Sequence, residues 1–148
     1  MARFITAIVL GYLVMLAAVV GIFTAAYPAL GVDTLFEPGT YEAARGWIYL
    51  SFGIGLVAAM AGGLTCARIA PGTQAPLWLA AVVLTLGGLM AIPVVMSADT
   101  NRGGVRQGQV TMAEAMAHAE QPVWVALLNP LLGALGVLIG AGPRVMRE

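Results

Sequence analysis

The sequence predicts an all-α integral membrane protein, a bundle of four helices that forms a single transmembrane domain over residues 1–148. Of its 148 residues, 60% are hydrophobic and only 9% are charged, whereas soluble domains carry about 25% charged residues. Four long stretches contain no charged residue at all: 4–32, 46–67, 69–98 and 121–143. Because a helix needs about 20 mostly apolar residues to cross a bilayer, each stretch has room for one spanning helix.

The helices are predicted at 4–27, 47–67, 77–97 and 123–141, and loops at 28–46 and 98–122 join them as two helical hairpins. Pro28 and Gly31 are expected to end the first helix, whereas Pro76 and Pro122 open the third and the fourth, where proline is tolerated. The first apolar run is much longer than the core of a signal peptide, about 7–15 residues. We therefore expect it to be a retained membrane anchor.

Arginine placement predicts the orientation. One side of the membrane carries Arg3, Arg68, Arg144 and Arg147 in very short segments, whereas the other arginines lie in the two long loops with most of the acids. Basic residues near helix ends favour the cytoplasmic side. All seven basic residues are arginine, which together with the alanine and glycine content is typical of a GC-rich bacterial gene. The prediction is a multi-pass protein of the bacterial inner membrane with both termini in the cytoplasm.

Both outward loops are predicted to be ordered. In the first, the segment from Glu37 to Thr40 is a turn signal, and apolar neighbours indicate a cap rather than a free linker. In the second, Thr111 and Glu114 have the spacing of a capping box, which predicts a short interfacial helix over 111–120. Glu114 and His118 lie one turn apart on it and are the candidate polar site of the outer face. Two ligands do not define a metal site, so we expect no metal there.

Missing residue types exclude several function classes. None of the predicted spans contains an Asp, Glu, Lys, Arg or His, which argues against proton relays and cation-coupled transport. The net charge of zero excludes the basic surface that a nucleic-acid partner requires. Cys66 is the only cysteine, so it is expected to be a packing residue, with palmitoylation or a redox role as the alternatives. No catalytic constellation is visible, and we expect neither enzyme activity nor a cofactor.

The two halves of the chain resemble each other weakly. A shift of 77 positions aligns Trp47 with Trp124, Leu50 with Leu127 and Gly63 with Gly140. If the match is a true duplication, it predicts a parallel repeat about an axis along the membrane normal. Chance is the alternative, because alanine, glycine, leucine and valine are so common here.

Small residues at four-residue spacing form a candidate packing face on three helices. Such faces let membrane helices approach closely, because lipid and leucine are equally apolar and association depends on packing. They predict contacts with neighbouring helices, with other membrane subunits or with a second copy of the chain. The residues are Ala17, Gly21 and Ala25 in the first helix, Gly55, Ala59 and Gly63 in the second, and Gly136 and Gly140 in the fourth.

Asn129 and Pro130 are the most unusual pair within a span. An asparagine amide and a proline that removes an amide donor both need polar partners in hydrocarbon. One interpretation is a kink with Asn129 bonded across the bundle, and the other is a polar contact for a ligand. Pro93 in the third helix predicts a second kink and a gap beside it.

Three function classes follow. The favoured hypothesis is a non-catalytic accessory or structural subunit that packs against other membrane helices within the lipid bilayer. The alternative is a binding or permeation module for a neutral or lipid-like small molecule near Asn129. A membrane enzyme that uses His118, Glu114 and Asp99 at the outer face would require these residues to converge.

Overall fold

A computed structural model describes residues 1–97, 111, 114 and 118–142. Within these residues the fold is all-helical, and four of its helices are long and apolar enough to cross a membrane. The predicted fold class, a bundle of four long helices, is confirmed. The elements are α1 (Ala2–Leu30), the short α2 (Val32–Leu35), α3 (Arg45–Ile69), α4 (Ala75–Ser97) and α5 (Val123–Ala141).

The observed helices extend two or three residues beyond several predicted ends, and the largest difference is at the end of α1. Pro28 does not end this helix but lies inside its last turn. Proline there removes only the hydrogen bond to the carbonyl of Thr24, so the helix continues for two more residues, to Leu30. The helix ends at Gly31, which has φ 76° and donates its N–H to the Tyr27 carbonyl at 3.1 Å.

The four long helices form the two predicted hairpins, α1 with α3 and α4 with α5, and these join along α3 and α5. The short connection at 70–74 links α3 to α4 at one end of the bundle, which we call the turn end. The opposite end, where α3 and α5 begin, is the cap end. α3 and α5 therefore run parallel to each other through the centre of the bundle.

Contacts between α3 and α5 are reciprocal. The Cβ position of Gly63 lies against the carbonyl of Val137, and that of Gly140 lies against the carbonyl of Met60. Gly63 and Gly140 are 77 positions apart in the sequence, as are Met60 and Val137. A two-fold axis along the helices produces this exchange of partners, in the register that aligns Trp47 with Trp124.

The outer helices depart from this symmetry at the contact of α1 with α3. On α3, Gly62 packs against Gly11 of α1. Its counterpart in α5 at the 77-residue shift is Ile139, which is 57% exposed. The exchange of partners is therefore shown for the central helix pair, and Gly62 and Ile139 differ in their surroundings.

The two outer helices, α1 and α4, are more buried at the turn end than toward the cap end. The buried residues of α1 are Ala7 and Gly11, both in its first half. In α4, five of the six buried positions fall within the first nine residues, and Ala91 is the sixth. Leu79 and Cys66 belong to the core cluster at this end, and neither has exposed surface. Of the long helices, α1 and α4 thus pack closely at the turn end and diverge toward the cap.

The cap comprises residues 31–44 and 118–122. Thr40 donates its N–H to the Glu37 carbonyl at 3.1 Å, which confirms the predicted turn, and Glu37 donates to the Glu42 carbonyl at 2.9 Å across a small hairpin. Residue 120 extends this hairpin, because Ala43 donates to the Glu120 carbonyl at 3.0 Å and Glu120 donates to the Tyr41 carbonyl at 2.9 Å. The first loop is therefore bonded to the segment directly before α5.

Candidate functional site

The divergence of the helices leaves a cavity of about 430 Å³ in the cap-end half of the bundle. All four long helices contribute to its wall, including Met15 of α1, Trp47 of α3, Met90 of α4 and Asn129 of α5. Ligand pockets in proteins usually measure about 300–1,000 Å³. The cavity is therefore large enough for a small organic molecule.

The cavity wall is uncharged and mostly apolar. Every described residue that lines it is neutral, and Tyr12, Ser51, Gln121 and Asn129 supply its polar side chains. Ser51 already donates its hydroxyl to the Ile48 carbonyl at 2.7 Å, a bond within its own helix. Ser51 therefore has less hydrogen-bonding capacity to offer a ligand than Asn129.

Asn129 lies on the side of α5 that faces the cavity. Val125 and Gly133, one turn before and one turn after it, line the same wall, and the Asn129 side chain is exposed. Within the described residues no side-chain hydrogen bond involves Asn129. The kink interpretation requires a bond across the bundle, and the described residues do not provide it. The amide is thus positioned to donate to and accept from a molecule in the cavity.

Pro130 has a packing role beside Asn129. It is buried, and its ring lies 2.8 Å from the Cβ position of Gly87 in α4. Proline has no N–H to donate to the carbonyl four residues earlier, that of Ala126, which also lines the cavity. Pro93 lies instead beside a second cavity of about 490 Å³ at the cap end, with Ser97 and Gln121. Of the three predicted ligand contacts, Asn129 and Pro130 line the first cavity, of about 430 Å³.

The predicted packing residues divide into two groups. Ala59, Gly63, Gly136 and Gly140 lie in the contact between α3 and α5. Gly55 lines the cavity instead and has open space around its Cβ position. The small-residue face of α1 lies outside the described contacts with the other helices, since Ala17, Gly21 and Ala25 are exposed.

Gly11 is the position at which α1 approaches its neighbours, and the sequence analysis missed it. A Cβ atom on Gly11 would lie 2.9 Å from the Gly62 carbonyl oxygen and 2.8 Å from Leu79 Cδ2. Ala7, Gly11 and Met15 follow the same four-residue spacing as the face of α1 that was predicted. Spacing alone does not distinguish these two faces of α1.

Cys66 lies in the core cluster at the turn end. Cys66 is fully buried there, next to Gly11, as the packing interpretation expects.

Glu114 of the second loop donates its backbone N–H to the Thr111 hydroxyl at 3.3 Å, as in a capping box. The ring of His118 lies 5.3 Å from that of Tyr41. The predicted helix over 111–120 is wrong at its end, because Ala119 and Glu120 are not helical and Glu120 pairs with Glu42 of the first loop. Asp99 and residues 112, 113 and 115–117 lie outside the described residues, and within those described no three His, Cys, Asp or Glu residues group as metal ligands.

Comparisons with known proteins add no further constraint. No family model, no curated protein and no solved structure matches the chain. The functional argument therefore depends on the cavity and on the surface of the bundle.

Proposed function

We propose that this membrane protein binds a neutral, largely apolar small molecule in the cavity around Asn129, without catalysis. The observation that carries the proposal is an uncharged cavity of about 430 Å³ with an asparagine amide on its wall. Burying an unpaired charge in such surroundings is costly, whereas a neutral molecule with one hydrogen-bonding group is matched by a single amide. The apolar wall supplies contact area, and Asn129 supplies orientation.

Binding is better supported than permeation. A permeation path would have to continue through the turn-end half of the bundle, where Leu79, Cys66 and Val137 are fully buried in one cluster. Helix backbones also meet directly in this half, at Gly11 with Gly62 and at Gly63 with Val137. The cavity therefore has a packed floor, which suits a binding site that retains its ligand.

The test compares ligand retention among three variants with that of the unmodified protein. Asn129→Leu removes the amide at similar volume, and losing one hydrogen bond to a neutral group should lower affinity about fivefold to tenfold. Gly55→Leu places a side chain in the open space of the cavity and should lower occupancy more than tenfold. Thr85→Val removes a polar group that lies outside the cavity and should leave occupancy unchanged. Native mass spectrometry of protein extracted in a mild detergent measures the bound small molecules.

The result that would contradict the proposal is equal retention in all variants. Retention lost in Gly55→Leu but kept in Asn129→Leu would restrict the site to its apolar wall and remove the role of the amide. Circular dichroism of each variant establishes that the helices persist.

An accessory role within a larger membrane assembly is the second candidate function. The observation that favours it is the surface of α1. In the most apolar 18-residue stretch of α1 only 11% of the residues are buried, and its exposed face contains Ala17, Gly21 and Ala25. Small residues on a lipid-facing surface allow a further helix to approach closely. If this face holds a partner subunit or a second copy, Gly21→Leu should release it from the extracted complex. An unchanged mass would remove this candidate.

A further inference from the structure

We infer that the cavity opens sideways between the cap-end halves of α1 and α4, so that its ligand is a single-chain neutral lipid that enters from the bilayer. The inference rests on the proposed function and names both the ligand class and the route. It follows from where the described residues close the cavity and where they do not.

Contacts among the described residues cover the floor of the cavity and the α1–α3 side of its cap end, whereas on the α4 side a second cavity shares Ala43 and Gln121 with it. The floor is the core cluster at the turn end, in which Leu79 is fully buried. Near the cap end, the rings of Phe23 and Trp47 meet edge to face with centroids 5.1 Å apart. Above them, the backbone bond from Ala43 to Glu120 ties the first loop to the start of α5. A ligand that entered along the bundle axis beside α1 and α3 would have to displace one of these contacts.

Three of the four seams between neighbouring helices are closed in the cap-end half. Phe23 and Trp47 close the seam between α1 and α3, and Phe52 packs on Trp124 between α3 and α5 with ring centroids 5.9 Å apart. Pro130 packs on Gly87 between α4 and α5. Each of these seams therefore has a side-chain contact beside the cavity.

The fourth seam, between α1 and α4, differs from the others. Its close contact among the described residues is at the turn end, where Leu79 Cδ2 lies 2.8 Å from the Cβ position of Gly11. Beside the cavity, Met90 of α4 lines the wall and yet is 76% exposed, and Leu86 is 42% exposed. Met90 is the most exposed of the large apolar residues that line the cavity, and we take it as the edge of an opening.

The chemistry of this opening selects the ligand. Met15 and Val19 of α1 and Leu86 and Met90 of α4 all line the cavity, and all four side chains are apolar. An apolar passage within a membrane-spanning segment admits an alkyl chain and excludes ions and charged head groups. Methionine adapts its shape to irregular apolar partners, which suits a flexible chain.

The depth of Asn129 places the polar group of the ligand. It lies six residues after Val123, where α5 begins, which is about 9 Å along a helix that rises 1.5 Å per residue. A lipid whose alkyl chain lies in the cavity has its hydroxyl or carbonyl at the head of that chain. At the depth of Asn129, this polar group is within reach of the Asn129 amide. A neutral single-chain lipid, such as a monoacylglycerol, matches both the passage and the amide.

Cross-linking the seam tests the route. Val19→Cys and Met90→Cys are combined with Cys66→Ala and joined by a short bifunctional maleimide in lipid nanodiscs. Radiolabelled monooleoylglycerol is the probe, and the Gly55→Leu variant sets the level of simple partition into lipid. We expect cross-linking before loading to slow uptake at least tenfold, and cross-linking after loading to slow release by a similar factor.

Two different failures separate the two proposals. Uptake that is unchanged by the cross-link would overturn the lateral route and leave the cavity as a binding site. If the open protein takes up no more probe than Gly55→Leu does, the monoacyl lipid is wrong as the ligand. The retention measurements on Asn129→Leu and Gly55→Leu then decide whether the cavity binds any other neutral molecule.

Discussion

Replacing Gly63 with alanine is expected to destabilise the bundle by about 2 kcal/mol or more, because the new methyl group would overlap the Val137 backbone carbonyl. Backbone atoms on a helix move only if the whole helix moves, so α3 and α5 would have to separate. The overlap outweighs the roughly 1 kcal/mol that alanine gains over glycine in a helix. Gly140→Ala should cost a similar amount, because its Cβ position meets the Met60 carbonyl in the reciprocal contact.

Gly55→Ala and Gly21→Ala are matched controls for this prediction. Both are helical glycines with open space around the Cβ position, so alanine there should leave stability unchanged or raise it by up to about 1 kcal/mol. Titration with a denaturing detergent, followed by tryptophan fluorescence, measures all four variants. Equal stability of Gly63→Ala and Gly55→Ala would contradict the close approach of α3 and α5.

The contrast between these glycines shows what a sequence pattern predicts in a membrane helix. Charge-free stretches and helix-ending residues predicted four helices, because a helix that spans a bilayer needs length and apolarity. The four-residue spacing also indicated Gly63 and Gly140. The same spacing selected Gly21 in α1, whereas the contact is made at Gly11. In a soluble helix a polar face would show which side is exposed, but lipid is as apolar as a helix interface and leaves no such signal.

Among the residues that line the candidate site, only Asn129 and its neighbour Pro130 were predicted from the sequence as ligand contacts. Asn129 stands out because an amide in an apolar run requires a partner. Met90 and Gly55 line the same cavity, yet in sequence they resemble any other apolar or small residue of a membrane helix. The cavity exists because α1 and α4 diverge from the turn end toward the cap, and that divergence depends on contacts between distant parts of the chain. Gly11 and Leu79 set one end of it.

Leu79→Ala is expected to be the most destabilising substitution of a side chain in α4, at roughly 2 kcal/mol. Leu79 has no exposed surface and is among the largest fully buried side chains of the described residues. In water-soluble proteins, a buried leucine stabilises the fold in two ways, because its apolar surface leaves water and because its side chain packs against its neighbours. In a bilayer the separated helices remain in lipid, so the transfer contribution is small and the cost comes from the cavity left beside Gly11.

Leu77→Ala is the control for that argument, because Leu77 lies one half-turn away on the same helix and is 41% exposed. Lipid chains fill the space that its side chain leaves, so the expected loss is well below 1 kcal/mol. The difference between the two variants therefore measures packing at the turn end, separately from apolarity. Losses of equal size would mean that Leu79 does not hold α1 against α4, and the packed floor of the cavity would then need another origin.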